Sequence, residues 1–365
     1  MKAVGTERSI RSRWREASGA ILAAVLTAVV SPAIVPAARA VAQNASARDT
    51  SSTLRDLETE AGALRPTVGT QLARDFLAEV AQLPTVAPRT VAFDSARTRY
   101  WSPAEVAALS ESERAPLLTR ELGESFYYST RYGSPLAYSR PLEILARSGF
   151  ATVAGRRLLD FGYGTIGHLR LLAALGADVT GIEVDPLLRA LYSSPGDQGE
   201  IAGAKQRGHL RLVTGQWPAE AGITSEVGGG YDLFLSKNTL KNGYLHPAEP
   251  VDPRRLVHLG VEDSAFVRAL YGMLKPGGWA LIYNLCPAPA PPGKPYIPWA
   301  DGRCPFPRAM LERAGFQVIA FDAEDSKAAR RMGHALAWDD PENGRMDLEH
   351  DLFASYTLLR RPPRS

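Results

Sequence analysis

From about residue 150 onward, short apolar runs alternate with stretches whose apolar residues recur at helical spacing. Seven runs have the length and composition of strands, at 157–161, 179–183, 210–213, 233–236, 280–284, 316–321 and 355–359. Helical patterns lie between most of them, at 168–175, 186–192, 262–274 and 307–314. This alternation predicts an α/β fold with a Rossmann-like, doubly wound and mostly parallel seven-stranded sheet. In such sheets a ligand lies at the carboxyl ends of the strands, where the strand order reverses.

The region before this domain has a different pattern. Residues 43–52 are small and polar, which predicts a linker, and residues 53–125 carry apolar positions at helical spacing. The sequence Ser102-Pro103-Ala104-Glu105 has a capping serine, a proline in the first turn and a glutamate that can reach back, so it predicts a helix start. Residues 43–125 therefore form a linker and an N-terminal helical extension, without a motif that carries chemistry.

Residues 1–42 resemble a targeting segment. A basic stretch precedes the apolar run ASGAILAAVLTAVV, and small residues suited to cleavage follow it. The pattern predicts a signal peptide or, if it stays uncleaved, an N-terminal anchor. We therefore expect the protein to be exported, periplasmic or secreted, or to be held at the membrane by this segment alone.

Charge and cysteine content limit the classes of partner. The chain has a formal net charge of +3, and residues 1–42 alone hold six basic and two acidic groups, so the remainder carries about −1. A near-neutral body gives no electrostatic reason to expect a nucleic-acid partner. Cys286 and Cys304 flank a proline-rich loop and could form a disulfide or remain as buried thiols. No cluster of metal-ligand type is present, so we expect no metal.

The sequence LLDFGYGTIGHLRLLAALGADVTGIEVDP holds the candidate cofactor site. A strand ends near Asp160, and Gly162, Gly164 and Gly167 follow before a helix. Glycines let the backbone turn tightly and approach a ligand closely, and a helix start presents free N–H groups. Glu183 ends the next strand, where a carboxylate can accept hydrogen bonds from ribose hydroxyl groups.

These features alone do not choose between NAD and S-adenosylmethionine, because the glycine spacing also matches the dinucleotide fingerprint. The carboxylate of Asp160 would repel a pyrophosphate, whereas it would attract a sulfonium ligand that carries an ammonium group. This charge favours S-adenosylmethionine as the cofactor.

Residues 126–365 resemble the class I S-adenosylmethionine-dependent methyltransferases. The resemblance rests on the segment from Leu158 to Gly164, on YDLFLSKN and on the Lys-Pro-Gly-Gly turn before the fifth strand. It implies cofactor contacts for a set of residues at the strand ends: Asp160, Gly162, Gly164, Gly167, Glu183, Gln216 and Ser236. The third glycine stands one residue later than in the commonest family pattern, and Gln216 replaces the usual acid beside the adenine.

The segment after the fourth strand is the candidate catalytic region. The resemblance implies that Ser236, Lys237 and Asn238 face the reacting methyl group, and Tyr244 and His246 follow in a polar stretch. A histidine there could act as a base, or could be an incidental residue of a solvated loop. Two other segments could cover the site, namely 132–140 and the proline-rich 287–306, or could be packed surface structure.

The predicted function is an S-adenosylmethionine-dependent methyltransferase whose acceptor, a small molecule or a protein, is unknown. An exported binding protein without catalytic activity, on the same fold, is the alternative from another class. An NAD(P)-dependent oxidoreductase is the third. The export signal and the cofactor conflict, because S-adenosylmethionine is made in the cytoplasm.

Overall fold

The structure, a computed structural model, describes residues 51–343 and 345–364. The predicted signal or anchor and nearly all of the predicted linker lie outside these residues. Within them, no helix is both long enough and apolar enough to cross a membrane.

The first part of the extension is helical, and the second part combines short helices with strands. Helices α1 (Ser52–Leu64) and α2 (Gln71–Ala78) pack their leucines inward, as the spacing predicts. The remainder differs from the predicted helical extension, because it contains a small antiparallel sheet. Its elements are β1 (Arg89–Phe93), β2 (Tyr100–Trp101), α3 (Pro103–Ala108), α4 (Glu111–Arg114), β3 (Leu118–Leu122) and α5 (Glu124–Ser129). The predicted helix start is confirmed, since Ser102 and Glu105 form a capping box at α3.

The α/β domain follows. Its helices are α6 (Ser139–Arg147), α7 (Gly167–Ala174), α8 (Pro186–Leu191), α9 (Ala221–Val227), α10 (Asn242–Leu245), α11 (Asp263–Met273), α12 (Arg308–Arg313), α13 (Ser326–Ala335) and α14 (Leu348–Asp351). Its strands are β4 (Arg157–Phe161), β5 (Asp178–Glu183), β6 (Gly199–Ala202), β7 (Arg207–Thr214), β8 (Tyr231–Lys237), β9 (Leu274–Cys286), β10 (Gln317–Glu324) and β11 (Phe353–Arg360). All seven predicted strands are present. Six agree with their expected bounds within three residues, whereas β9 begins six residues before the predicted start at 280.

The strands form one sheet in the order β10-β11-β9-β8-β4-β5-β7-β6. Strands β9, β8, β4, β5 and β7 are mutually parallel, whereas β11, β10 and β6 run antiparallel to their neighbours. The predicted fold class is confirmed, but the sheet has eight strands, because β6 adds an antiparallel edge that the sequence pattern did not reveal. The chain proceeds outward from β4 to β5 and β7, then returns to β8 and β9. The strand order therefore reverses between β4 and β8.

Two hydrophobic clusters lie on the two faces of this sheet. One includes α6, α7 and the N-terminal helices, with Leu158 and Leu233 from the sheet. The other includes α11, with Leu159 and Phe234 from the same two strands. Successive residues of a strand face opposite sides, so each strand contributes to both clusters.

Candidate functional site

The predicted glycine turn lies directly after β4, at the carboxyl edge of the sheet. Gly162 and Gly164 have φ angles of +73° and +58°, a conformation that favours glycine. A Cβ atom on Gly162 would collide with the Thr239 side chain, and one on Gly164 would lie 2.7 Å from the Tyr132 ring. The turn therefore needs glycine for its backbone conformation and for the close approach of these two side chains.

The first turn of α7 is already occupied by groups of the chain itself. A Cβ on Gly167 would lie 2.6 Å from the carbonyl oxygen of Tyr128 in the extension. The backbone N–H of Ile166 donates to the hydroxyl of Tyr192 at 3.4 Å, and that of Gly164 donates to Glu183 at 3.3 Å. Gly167 therefore allows packing against the extension, and the helix start is not an open anion site.

Asp160 belongs to a buried polar cluster, which we define as Tyr138, Asp160, His168 and Lys237. Nε2 of His168 lies 2.6 Å from Oδ2 of Asp160, and the two side chains are 0% and 2% exposed. The Tyr138 ring stacks on the imidazole with centroids 3.5 Å apart and an interplanar angle of 7°. Burial lowers the pKa of His168, so its neutral form donates Nε2–H to the carboxylate. The other carboxylate oxygen, Oδ1, is buried and has no hydrogen-bond partner among the described residues.

Lys237 completes the polar cluster at the end of β8. It lies on the same face of the sheet as Asp160, because Asp160 is in register with Leu235 on the adjacent strand. Its Nζ is 5.2 Å from the centre of the Tyr138 ring. Burial, with a smaller contribution from the charge of Lys241, lowers the pKa of Lys237 from 10.5 to about 8, against the opposing effect of Asp160.

Glu183 ends β5 on the other side of the turn, as predicted. Its carboxylate accepts hydrogen bonds from the N–H groups of Gly164 and Val184, at 3.3 and 2.8 Å. Burial raises its pKa, and the charge of Asp185 acts in the same direction. Tyr132 beside it is 46% exposed. We call the region of the carboxyl edge that is bordered by the glycine turn, Glu183 and Tyr132 the cleft.

The other two predicted cofactor residues are placed differently. Gln216 follows β7 near Glu183, whose carbonyl accepts from Gly215 N–H at 3.0 Å. The Gln216 side-chain amide, however, donates to the carbonyl of His258 at 2.7 Å. Ser236 is fully buried, and its hydroxyl has no partner among the described residues. It precedes Lys237 on β8 and therefore faces the opposite side of the sheet from Lys237.

Asn238 supports the strand ends. Its φ angle is +65°, and its side-chain Oδ1 accepts a hydrogen bond from Leu285 N–H at 2.7 Å. Its own N–H donates to the carbonyl of Tyr283 at 2.9 Å. The side chain thus joins the end of β8 to the end of β9, and the strained backbone at this position turns the chain into the following segment.

Tyr244 and His246 diverge after β8. Tyr244 lies near Tyr132 and Arg131 at the cleft, and burial raises its pKa to about 12. Its ring also lies 5.5 Å from Nζ of Lys241. Nε2 of His246 instead lies 2.9 Å from a carboxylate oxygen of Asp263 at the start of α11, and the His246 side chain is 45% exposed.

Lys241 is buried behind this segment. Its Nζ donates to the carbonyls of Leu285 and Trp299, and burial lowers its pKa to about 8. The proline-rich segment 287–306 packs here, since Asp301 accepts a hydrogen bond from the Asn242 amide at 2.7 Å.

The two cysteines of the loop, Cys286 and Cys304, are free and buried. Within residues 51–343 and 345–364, no group of three or more His, Cys, Asp or Glu side chains could hold a metal ion.

His168, which lies 2.6 Å from Asp160, was not among the predicted site residues. Arg131 was not predicted either. Its guanidinium donates hydrogen bonds to Asp185 and to the Tyr132 hydroxyl, both at 2.9 Å. A single histidine or arginine on an otherwise ordinary helix or turn carries no periodic signal. The structure brings Asp160, the glycine turn, Glu183, Lys237 and Tyr244 to one cleft, where the strand order reverses.

No protein-family model matches the chain, and no curated protein matches it. The matching solved structures include an S-adenosylmethionine-dependent methyltransferase from Mesorhizobium loti, 18% identical, covering 62% of this chain and 98% of that chain with a TM-score of 0.35. A phosphoethanolamine N-methyltransferase from Haemonchus contortus is 14% identical and covers 67% of this chain and 62% of its own, with a TM-score of 0.37. The cyclase SpnF is 16% identical, with coverages of 62% and 81% and a TM-score of 0.36. The chain is similar to solved methyltransferases and to this cyclase. Identities and scores this low say nothing about the reaction, so assignment of the site rests on its own geometry.

Proposed function

We propose that the protein is an S-adenosylmethionine-dependent methyltransferase that acts on a small molecule or a protein. The observation that carries this proposal is the Asp160 carboxylate, whose buried Oδ1 has no partner within hydrogen-bond distance among the described residues and lies beside a positive-φ glycine turn, at the point where the strand order reverses. Glu183 adds a second carboxylate to the same cleft. This pair suits a ligand with an ammonium group and ribose hydroxyls.

A dinucleotide fits this site less well. Its pyrophosphate would need free N–H groups at the start of α7, but those of Gly164 and Ile166 already donate to Glu183 and Tyr192. The two carboxylates would also repel the phosphates. These contacts favour the sulfonium cofactor over NAD.

The residues present fit S-adenosylmethionine in four respects. Asp160 would hold its ammonium group, the glycine turn would allow close approach, Glu183 would accept from its ribose, and Tyr132 would cover one side. When bound, the cofactor supplies an electrophilic methyl group for in-line displacement. The chain contributes alignment of the acceptor and exclusion of water, and Tyr244 supplies a polar side chain at the same cleft.

Calorimetry on the full chain with S-adenosylhomocysteine and with NADH tests the proposal. We expect binding of the former, and we expect Asp160→Asn and Glu183→Gln each to weaken it by about 1–3 kcal/mol, the scale for hydrogen bonds to charged groups. Asp178→Asn, at the opposite end of β5, is the matched control. Tight NADH binding without S-adenosylhomocysteine binding would refute the proposal.

Methyl transfer itself needs a separate assay, because the alternative is an exported binding protein that holds the cofactor without using it. Isotopically labelled S-adenosylmethionine is incubated with the protein and an extract of its host. We expect label in small molecules or in precipitated protein, and not with Asp160→Asn. Binding without any transfer would support the non-catalytic alternative.

We also propose that the protein is exported or membrane-anchored. The basic stretch and apolar run within residues 1–42 support this. Sequencing the N-terminus of protein made in its host would show whether the segment is removed, and recovery of uncleaved protein only in the cytoplasm would overturn the proposal. An exported enzyme of this kind needs cofactor supplied outside the cytoplasm.

A further inference from the structure

Two opposite charges stand at the ends of adjacent parallel strands in the candidate site. Asp160 lies near the end of β4 and Lys237 ends β8, and both are on the face of the sheet that carries the polar cluster. These two strands are the pair between which the strand order reverses. The chain therefore presents a carboxylate and an ammonium group at the crevice where a ligand of this fold binds.

The two charges do not neutralise each other by direct contact. Among the described residues, Lys237 forms no ion pair or hydrogen bond, and its Nζ lies 5.2 Å from the centre of the Tyr138 ring. Asp160 uses Oδ2 for His168 and leaves Oδ1 without a donor. Separated charges in a partly desolvated site are costly unless another group pairs with them. Each retains capacity for a partner of the opposite sign.

The other cations near the cleft are already engaged. Arg131 pairs with Asp185 at 2.9 Å, and Lys241 donates to the carbonyls of Leu285 and Trp299. Among the residues that the structure describes, Lys237 is thus the cation of this cleft that is available to a ligand.

We propose that Asp160 and Lys237 together recognise the zwitterionic amino-acid end of the cofactor, with Lys237 as the residue that binds its carboxylate. The inference rests on the proposed function and adds a binding role for Lys237. The ammonium group of the ligand would replace the missing donor at Asp160, and its carboxylate would accept hydrogen bonds from Lys237. A role for Lys237 as a base toward the acceptor is the competing assignment, and it does not require any effect on cofactor binding.

The experiment compares two ligands that differ only in the group that Lys237 is proposed to bind. One is S-adenosylhomocysteine, and the other is its decarboxylated analogue, which keeps the amine. Calorimetry measures both with the full-length wild-type chain and with Lys237→Met, Lys237→Arg and Lys205→Met. Lys205 is exposed between β6 and β7, so its substitution controls for the change in net charge. Thermal unfolding of each variant verifies that it is folded.

We expect Lys237→Met to weaken S-adenosylhomocysteine binding by roughly tenfold or more, the range of a charge-assisted hydrogen bond. Binding of the decarboxylated analogue should stay within about twofold or tighten, because a positive charge near its amine is removed. Lys237→Arg should keep most of the preference for the carboxylate, and Lys205→Met should resemble wild type.

Equal weakening of both ligands, or of neither, in a folded Lys237→Met variant would overturn the inference while leaving the proposed function intact. A wild-type chain that binds neither ligand would remove the proposed function, and this inference with it.

Discussion

Adjacent residues at the end of β4 enter two different environments. Asp160 joins the polar cluster of Tyr138, Asp160, His168 and Lys237 on one face of the sheet. Phe161 joins an aromatic cluster on the other face, which we define as Phe161, Trp217, Phe234, Phe266 and Phe306. In that cluster Phe266 lies 5.4 Å from Phe161, 5.4 Å from Trp217 and 5.3 Å from Phe306, measured between ring centroids.

The difference between these clusters separates stability from binding. Aromatic rings that are fully desolvated stabilise the folded chain through burial and ring contacts. The polar cluster instead contains a carboxylate, an imidazole and an ammonium group. Each loses hydration when the chain folds, and the hydrogen bonds that it gains replace that hydration only in part. We propose that a ligand offsets this cost. We therefore expect substitutions on the aromatic face to lower stability, and substitutions in the polar cluster to weaken ligand binding.

Removal of the central ring of the aromatic cluster should have the largest effect on stability. Phe266 is fully buried, so Phe266→Ala should lower the free energy of unfolding by about 3–5 kcal/mol, through lost burial and a residual cavity. Urea denaturation measures the loss. The remaining folded protein should still bind S-adenosylhomocysteine with nearly wild-type affinity, and a large loss of affinity would show that the two faces are not separable.

Charge burial beside the cleft should appear in the pH dependence of stability. The pKa of Lys241 falls from 10.5 to about 8 on folding, so between these values the unfolded chain binds more protons than the folded one. The free energy of unfolding should therefore rise with pH across that window, by at most roughly 3 kcal/mol from this residue.

Lys241→Met should reduce this rise, as measured by urea denaturation from pH 7.5 to about 9.5, but should not abolish it, because the pKa of Lys237 is also lowered to about 8. The upper limit avoids ionisation of tyrosines, several of which have raised pKa values in the folded chain and would act in the opposite direction. A slope that is the same in wild type and Lys241→Met would show that Lys241 is not the group responsible.

His168 should give the smallest effect, and one that acts through Asp160. His168→Leu removes the donor to Oδ2 and should weaken S-adenosylhomocysteine binding by about 1 kcal/mol, because the carboxylate loses its orientation. His168→Gln retains an N–H near the position of Nε2 and should recover most of that affinity. If the glutamine variant binds S-adenosylhomocysteine as weakly as the leucine variant, the stacked imidazole ring, and not the N–H donor, determines the affinity.

Much of the fold could be predicted because the central parallel strands are buried on both faces and are therefore mostly apolar. The strand that ends at Phe161 was predicted with its observed bounds for this reason. Strand β6 was not found, since its four residues, Gly199–Ala202, are too short and too polar to give a period. The three strands of the extension were not predicted either, because they have only two to five residues each and lie between segments with helical spacing.

Part of the site could also have been read more fully from the sequence. Ser236 and Lys237 are neighbours in a strand, and strand alternation alone implies that they face opposite sides of the sheet. The sequence could not show that His246 lies away from the cleft, because its contact Asp263 belongs to a different element, 17 residues away in sequence.

The sequence by itself determined the alternation of strands and helices, the glycine turn and the two carboxylates at strand ends. These are local properties, fixed by hydrophobic periodicity and by the conformational freedom of glycine. Only the tertiary structure decided which polar groups share the cleft. It placed His168 next to Asp160, Lys237 near them without a hydrogen-bond or ion-pair partner among the described residues, and the backbone of the extension against the start of α7. Those contacts join residues from different elements, and their positions depend on how the sheet is ordered and packed, which no local pattern encodes.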